Sequence, residues 1–243
     1  MLTITEISER IAELLRGALP YAIVNNDPNK SIFTKLVSFG EVQEALDAGH
    51  TWIKVTSSDI VYNKFTVSGN KIRIEGDQGV VIDGKTGGDA IIITGNYNNL
   101  SHLRVQTTAG QGNSYNGVSV EGGQYNIVSY VTCVESDANG LSVESGTWNT
   151  FLGCHVINCD GYGLYSNGQG THFHSCMVQN GDTGGAQVAT NTDNQSLVGV
   201  TLLNSGDLDI ASGSDEGLYV GNLTDGAIQD NGSGNALAGN NQF

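Results

Sequence analysis

The sequence lacks basic residues over most of its length, because all ten Lys and Arg lie at or before Arg104. Ten bases and twelve acids give the part up to Arg104 a formal charge of −2, and thirteen acids give the rest −13. The later part therefore has no cation to pair with phosphate, which argues against nucleic acid as a partner. The sequence also has no apolar run of the roughly 20 residues that cross a bilayer, so we predict no membrane insertion.

Proline is scarce with two residues, and aromatic residues make up 7% of the chain. Proline removes a donor from a strand ladder, so its scarcity suits a chain rich in sheet. Glycine is abundant with 34 residues, as expected where tight turns recur. With few aromatic residues the core is predicted to be aliphatic. Without a secretion signal, we expect the four cysteines to be reduced core thiols rather than a disulfide framework.

The second half contains a repeat of 23 residues, which begins at Gly117-Val-Ser-Val, Gly140-Leu-Ser-Val and Gly163-Leu-Tyr-Ser. A fixed period of this length indicates a solenoid, in which side chains one turn apart stack on each other. Three apolar columns follow the period: Leu100, Val128, Phe151, Phe173 and Leu197; Leu103, Val131, Cys154, Cys176 and Val200; and Val105, Cys133, Val156, Val178 and Leu202.

Two solenoids fit this period. The apolar spacing matches leucine-rich repeats, which need a helical segment opposite each strand. Here the opposite segments, such as Gly117–Glu121 and Gly140–Glu144, are short alternating runs bounded by glycine, which are typical of strands. A column of Asn98, Asn126 and Asn149 also fits, since stacked amides can bond along a β-solenoid. We therefore predict a parallel β-helix.

From roughly Phe39 to Asp230 the chain resembles the right-handed parallel β-helices of the pectate-lyase-like superfamily, including phage tailspikes. The resemblance includes an opening amphipathic segment at Phe39–Ala48 and then strands such as Trp52-Ile-Lys-Val and Val80-Val-Ile-Asp-Gly. It implies an all-β fold: a single right-handed parallel β-helix of roughly eight turns of about 22–23 residues, with a short N-terminal helix and a capping helix. The same architecture carries lyases, hydrolases, epimerases and structural spikes, so it leaves function open.

The chain is divided on this basis into an amphipathic docking helix at residues 1–20, a linker at 21–38, the β-helix with its N-terminal cap at 39–230, and a tail at 231–243. The helix is predicted either to fold back on the solenoid or, as we favour, to dock on a larger assembly. Its acidic residues interrupt any apolar core of a signal peptide, so we expect none. The apolar residues at helical spacing, which we predict to make the docking contact, are Ile4, Ile7, Ile11, Leu14 and Leu15.

Two sets of carboxylates recur with the repeat. Glu121 and Glu144 would be about 5 Å apart, near the separation used by retaining glycosidases. Asp137 and Asp160, with Asp182 one turn further, would form a second stack, where like charges recruit a cation such as Ca²⁺. Glu121, Glu144, Asp137 and Asp160 are thus the catalytic candidates, and Asp137, Asp160 and Asp182 the metal candidates. A repeat stacks any turn residue without chemistry, however, so we predict no cofactor.

Other residues leave alternatives open. His155, His172 and His174 are expected on or near one face, as outward polar residues or as metal ligands. Trp148, at a turn, is either a sugar platform or, as we favour, a subunit contact or turn plug. Lyases of the superfamily use an Arg or Lys base together with acidic Ca²⁺ ligands. Since this chain has no base after Arg104, the resemblance implies such chemistry only in the first turns.

The sequence thus predicts a non-enzymatic structural virion protein of a phage. It would be a homotrimeric β-helical spike or capsid-decoration (cement) protein on the virion surface, assembled in the host cytoplasm. Its partners would be sister chains, capsid or tail proteins of the particle, and in the alternative a host surface glycan. That alternative is a carbohydrate-active or glycan-binding tailspike, a polysaccharide hydrolase or lyase that uses the stacked carboxylates.

Overall fold

The computed structural model describes residues 21–24, 38–56, 61–84, 87–107, 114–189 and 192–242. In this part the chain runs through three parallel sheets, here called A, B and C, in that order on each turn. The sheets have 11, 9 and 8 strands. A strand in the middle of a sheet pairs in parallel with strands one turn earlier and one turn later. The predicted all-β parallel β-helix is confirmed.

The strands of each sheet follow the chain at intervals of about one repeat. Sheet A contains Tyr21–Val24, Ser38–Phe39, Trp52–Val55, Arg73–Gly76, Asn99–Ser101, Ile127–Ser129, Thr150–Leu152, His172–His174, Ser196–Val198, Leu218–Val220 and Ala236–Ala238. Sheet B contains Tyr62–Asn63, Val81–Asp83, Arg104–Gln106, Thr132–Ser136, His155–Cys159, Met177–Gly181, Thr201–Leu203, Leu223–Thr224 and Asn241–Gln242. Sheet C contains Phe65–Val67, Ile91–Ile93, Val118–Gln124, Leu141–Thr147, Tyr162–Ser166, Gly184–Val188, Leu208–Ile210 and Ile228–Asp230.

The three predicted apolar columns form the inside of the solenoid. The first column lies in sheet A, the third in sheet B, and the second at the corner between these sheets. All fifteen side chains are at most 2% exposed. Phe151 and Phe173, one turn apart, stack with ring centroids 5.0 Å apart. Burying each turn against the next is what stabilises a solenoid, since no single turn has a core of its own.

The predicted asparagine stack is present at the corner between sheets C and A. Asn98, Asn126 and Asn149 are each 1% exposed. The backbone N–H of Asn98 donates to Oδ1 of Asn126 (2.9 Å), and that of Asn126 donates to Oδ1 of Asn149 (3.1 Å). Nδ2 of Asn126 donates to the carbonyl of Gly95 (3.0 Å). The amides therefore satisfy buried backbone groups where the chain turns and no strand partner is available.

A short helix at Val42–Asp47 packs on the first turns and buries Val42 and Ala45, as predicted for the capping helix. Oε2 of Glu44 accepts the backbone N–H groups of Gly40 and Glu41, which start the helix. In the described part of the chain, no helix has the length and apolar character needed to cross a membrane.

Two predicted boundaries differ from the structure. Tyr21–Val24, assigned to the linker, is a strand of sheet A between Ser38–Phe39 and Trp52–Val55. Its apolar, β-branched residues favour a strand, but it lies outside the repeat that marks the other strands. Ala236–Ala238 and Asn241–Gln242, assigned to the tail, continue sheets A and B, although Leu237 is their one large apolar residue. The predicted helix at residues 1–20 lies outside the described residues.

The four cysteines are free and buried. Burial raises the pKa of the Cys133 thiol well above its usual range. Burial, with a contribution from the charge of Asp182, raises the pKa of Cys159 to about 12. These two thiols are therefore neutral core side chains at physiological pH.

Candidate functional site

The first pair of candidate carboxylates lies on sheet C. A register shift after Val120 pairs Glu121 with Ser145 rather than with Glu144, so the two acids do not occupy equivalent positions. Oε1 of Glu121 lies 3.4 Å from Oγ of Ser119, and Oε1 of Glu144 accepts from Oγ of Ser142. Glu121 thus contacts its own strand, and Glu144 contacts both its own strand and, at 3.5 Å, Nδ2 of Asn116 on the preceding turn. Their hydrogen bonds do not join the pair.

The second set of candidates follows sheet B. The backbone N–H of Asp160 donates to the carbonyl of Ser136 (3.0 Å), and that of Asp182 donates to the carbonyl of Cys159 (2.8 Å). Their main chains therefore stack as predicted, with Asp137 buried and Asp182 exposed. Within the described ranges, no three His, Cys, Asp or Glu side chains come together as a group able to hold a metal ion. The docking residues Ile4, Ile7, Ile11, Leu14 and Leu15 lie outside those ranges.

The three histidines do not share one face. His155 is in sheet B, where its Nε2 is buried without a hydrogen-bond partner. His172 and His174 point outward from sheet A. Nδ1 of His172 lies 2.8 Å, and Nε2 of His174 3.3 Å, from Oγ of Ser196. Burial lowers the pKa of His155, and burial together with the neighbouring His174 lowers that of His172. Both rings are therefore neutral near pH 7.

Sheet A presents an uncharged outer surface over six consecutive turns. The strands from Asn99–Ser101 to Leu218–Val220 contain no Asp, Glu, Lys or Arg. Their outward residues include the exposed side chains of Ile127, Leu152 and Leu218. Exposed aliphatic residues grouped on one face are typical of a surface that contacts protein.

Aromatic residues lie along both borders of this surface. At the corner where the chain enters sheet A, Tyr97 and Tyr125 stack with centroids 5.2 Å apart, and Trp148 follows one turn later. At the corner where it leaves, His102 and Tyr130 stack with centroids 5.3 Å apart. All five adopt positive φ of 53° to 58°, a conformation that is uncommon for non-glycine residues. Of the five, only Trp148 was predicted from the sequence as a contact.

Two of these rings, Tyr130 and Trp148, lie against a glycine of the next turn. A Cβ on Gly153 would lie 2.8 Å from the ring of Tyr130, and one on Gly170 would lie 2.6 Å from the ring of Trp148. The rings therefore rest on backbone that only glycine leaves free. Four of these side chains nevertheless remain 42–57% exposed: Tyr97, Tyr125, Tyr130 and Trp148. The contact with Gly170 agrees with a turn plug at Trp148, and the exposed part of this ring is available to either a protein or a sugar.

A cleft of about 520 Å³ lies where sheets A and B meet near the N-terminal end. Measured between residues that pair in the sheets, the connection from Glu75 to Val81 is three residues longer than that from Ser101 to Arg104 on the next turn. The extra residues, Asp77-Gln-Gly79, form one wall of the cleft, and His102 and Tyr130 form the other. Lys54 contacts Glu75 (3.0 Å) and Asp77 (2.9 Å). The hydrogen bond to Asp77 raises the pKa of Lys54, and the hydrogen bond from Lys54 lowers that of Glu75.

Arg104 also lines this cleft. Among the described residues no carboxylate lies within ion-pair distance of its guanidinium. Among the described residues, the cleft thus places the Arg104 guanidinium beside an aromatic corner, together with the carboxylates of Glu75 and Asp77, which are paired with Lys54.

No known protein family matches the chain by its sequence profile, and no curated protein matches it. Among solved structures, a mutant pectin methylesterase in complex with a hexasaccharide superposes with a TM-score of 0.58 at 14% identity, over 87% of this chain and 80% of the esterase. ORF18 of Geobacillus virus E2 superposes with a TM-score of 0.51 at 12% identity, over 94% of this chain and 60% of that protein. The chain has the parallel β-helix fold of these proteins. At such identities the likeness establishes the fold alone.

Proposed function

We propose that this chain is a non-enzymatic structural protein on the surface of a phage or phage-like particle, a homotrimeric β-helical spike or capsid-decoration protein. The observation that carries the proposal is the division of the rod into two sides. Six consecutive strands of sheet A, from Asn99–Ser101 to Leu218–Val220, contain no charged residue and have aromatic residues at several of their corners, whereas the acidic residues beyond Arg104 lie outside these strands. A rod of this kind packs against protein on one side and keeps an acidic surface in solvent.

Two further points support a structural role. The candidate carboxylates Glu121 and Glu144 are engaged by serines of their own strands, whereas a glycosidase needs two carboxyl groups that converge on one bond. A protein of a Geobacillus virus shares the fold. Attachment to the particle would be made by the apolar residues of segment 1–20.

The alternative is a glycan-binding or carbohydrate-active protein. The cleft beside Arg104 and Tyr130 favours it, as does the shared fold with an esterase bound to a hexasaccharide. A glycan would bind there through the guanidinium and the edge of the aromatic corner.

One pair of measurements separates the two functions. The full chain is incubated with bacterial capsule, lipopolysaccharide and pectin, and the products are examined for shortened chains or released ester groups. In parallel, its mass in solution is measured by light scattering. We expect unchanged polysaccharide and the mass of three chains. Shortened or de-esterified glycan would refute a non-enzymatic role, and a monomer at every concentration would refute the trimer.

A further inference from the structure

We infer that His172 and His174 form a surface site for a divalent transition-metal ion, with the two imidazole rings as its protein ligands. The inference goes beyond the proposed function and does not depend on it, because both ligands belong to one strand of one chain. Its evidence is the convergence of the two rings on a single atom and the kinds of side chain that surround them.

The two rings converge on one oxygen. His172 and His174 are two residues apart on a strand of sheet A, so both side chains leave the same, outer side of the sheet. Oγ of Ser196, on the next turn, lies 2.8 Å from Nδ1 of His172 and 3.3 Å from Nε2 of His174. Two imidazole nitrogens that share one hydrogen-bonding partner are directed at one place, which is what a metal ion requires of its ligands.

The hydroxyl group of Ser196 cannot serve both rings in the same way. It has one proton, so it donates to at most one ring nitrogen, and the other ring must donate its own N–H to the oxygen. A metal ion between the rings would instead accept a lone pair from each nitrogen, once the second ring carries its proton on its other nitrogen. Binding therefore asks for a proton shift within one imidazole, since both nitrogens already face the same oxygen.

The neighbouring side chains select the class of ion. Level with His172 are Thr150 and Ser196, and level with His174 are aliphatic residues of the same two strands. None of these is a carboxylate, which Ca²⁺ and Mg²⁺ prefer, whereas imidazole nitrogen suits Cu²⁺, Ni²⁺ and Zn²⁺. Two protein ligands leave the other coordination positions to water, so the ion is exchangeable. By the general order of affinities, Cu²⁺ is held most tightly.

Trp148 can report on the site. Its ring centroid lies 5.9 Å from that of His172, and bound Cu²⁺ quenches tryptophan fluorescence at such short range. The sequence has one other tryptophan, Trp52, which lies five strands away in sheet A, or about 24 Å. A Trp52→Phe background therefore leaves the signal of Trp148 alone.

The first test titrates CuCl₂ into the full Trp52→Phe chain in a non-coordinating buffer, and calorimetry gives the affinity independently of fluorescence. We expect saturable quenching with one ion per chain. His172→Gln and His174→Gln should each weaken binding at least about tenfold. His155→Gln is the matched control, because this histidine is also partly buried but lies in sheet B, and it should bind like the parent chain. Circular dichroism checks that the variants are folded.

The second test identifies the ligands in the wild-type chain. Electron paramagnetic resonance of the chain with one equivalent of Cu²⁺ should show superhyperfine coupling to two imidazole nitrogens, and His172→Gln should reduce this to one. Excess CaCl₂ or MgCl₂ should not displace the ion. A spectrum without nitrogen coupling, or displacement by Ca²⁺, would show that oxygen ligands hold the ion and would overturn the inference.

The outcomes separate the inference from the proposed function. If wild type shows no saturable Cu²⁺ binding, or if the His172→Gln/His174→Gln double variant binds as tightly as wild type, the metal site is wrong and the structural role stands. Shortened glycan in the polysaccharide assay would refute the structural role and leave the metal site unaffected.

Discussion

Replacement of Asn126 by alanine tests most directly whether side chains one turn apart support each other. Its Oδ1 accepts the backbone N–H of Asn98, and its Nδ2 donates to the carbonyl of Gly95 and to Oδ1 of Asn149 (3.0 Å). Alanine leaves the N–H of Asn98 and the carbonyl of Gly95 buried without these partners. Each orphaned buried group costs about 1–3 kcal/mol, so we expect a loss of about 3 kcal/mol in unfolding free energy.

The loss is measurable by thermal denaturation followed by circular dichroism at a fixed protein concentration. For a chain of this size, about 3 kcal/mol corresponds to a fall in Tm of roughly 6–12 °C. Asn99→Ala is the matched control, because Asn99 lies nearby in sheet A but is exposed, and its replacement should change stability by less than about 0.5 kcal/mol. If the two variants melt at the same temperature, the buried amide stack does not stabilise the turns and the reasoning is refuted.

Three further predictions concern the core and the histidines. Gly163→Ala should destabilise the chain by about 1–3 kcal/mol in urea titrations, since a Cβ there would lie 2.2 Å from a methyl group of the buried Val178; unchanged stability would contradict the close packing of turns. Because the pKa of His172 is lowered in the folded state by burial and by His174, unfolding takes up a proton at this site, and stability should fall as the pH drops below about 6.5. His172→Gln should weaken that fall relative to wild type, with pH 8 as the reference, and an identical profile would show that this ring does not contribute. The four buried cysteines are Cys133, Cys154, Cys159 and Cys176. Iodoacetamide at pH 8 should modify none of them in the native protein and all four after denaturation, as measured by mass spectrometry. Rapid labelling of the native protein would contradict their burial.

The inner columns were predictable from sequence because the repeat places apolar residues at a constant interval, and the register of the sheets follows that interval. Phe151 and Phe173 are an example, since their spacing of one repeat alone implied the stacked rings. The strand at Tyr21–Val24 could not be found in this way, because it has no counterpart one period away. The polar strand at Asn241–Gln242 could not be found because it carries none of the apolar signal that marks earlier turns.

The outer surface was less predictable, for a physical reason. The constant repeat length that aligns the core residues also aligns outward residues of successive turns. A local bulge shifts the strand register, however, and so changes which outward residues lie next to each other. Glu121 and Glu144 are one period apart in sequence, yet the register shift after Val120 aligns Glu121 with Ser145. Tyr97 and Tyr125 were not found because they lie at corners, where spacing is irregular and side-chain direction depends on positive φ.

The parallel β-helix fold by itself assigns no catalytic group. A parallel β-helix offers positions about 4.8 Å apart along each sheet, and chemistry requires that two or more reactive groups occupy neighbouring positions and point to one place. On sheet C the acids Glu121 and Glu144 accept from Ser119 and Ser142 of their own strands. On sheet A the outward residues of the strands from Asn99–Ser101 to Leu218–Val220 are aliphatic, hydroxyl, amide or imidazole groups. The shared fold therefore explains how the chain builds a rigid rod. The proposed structural role rests on the uncharged strands of sheet A and on the separate hydrogen bonding of Glu121 and Glu144.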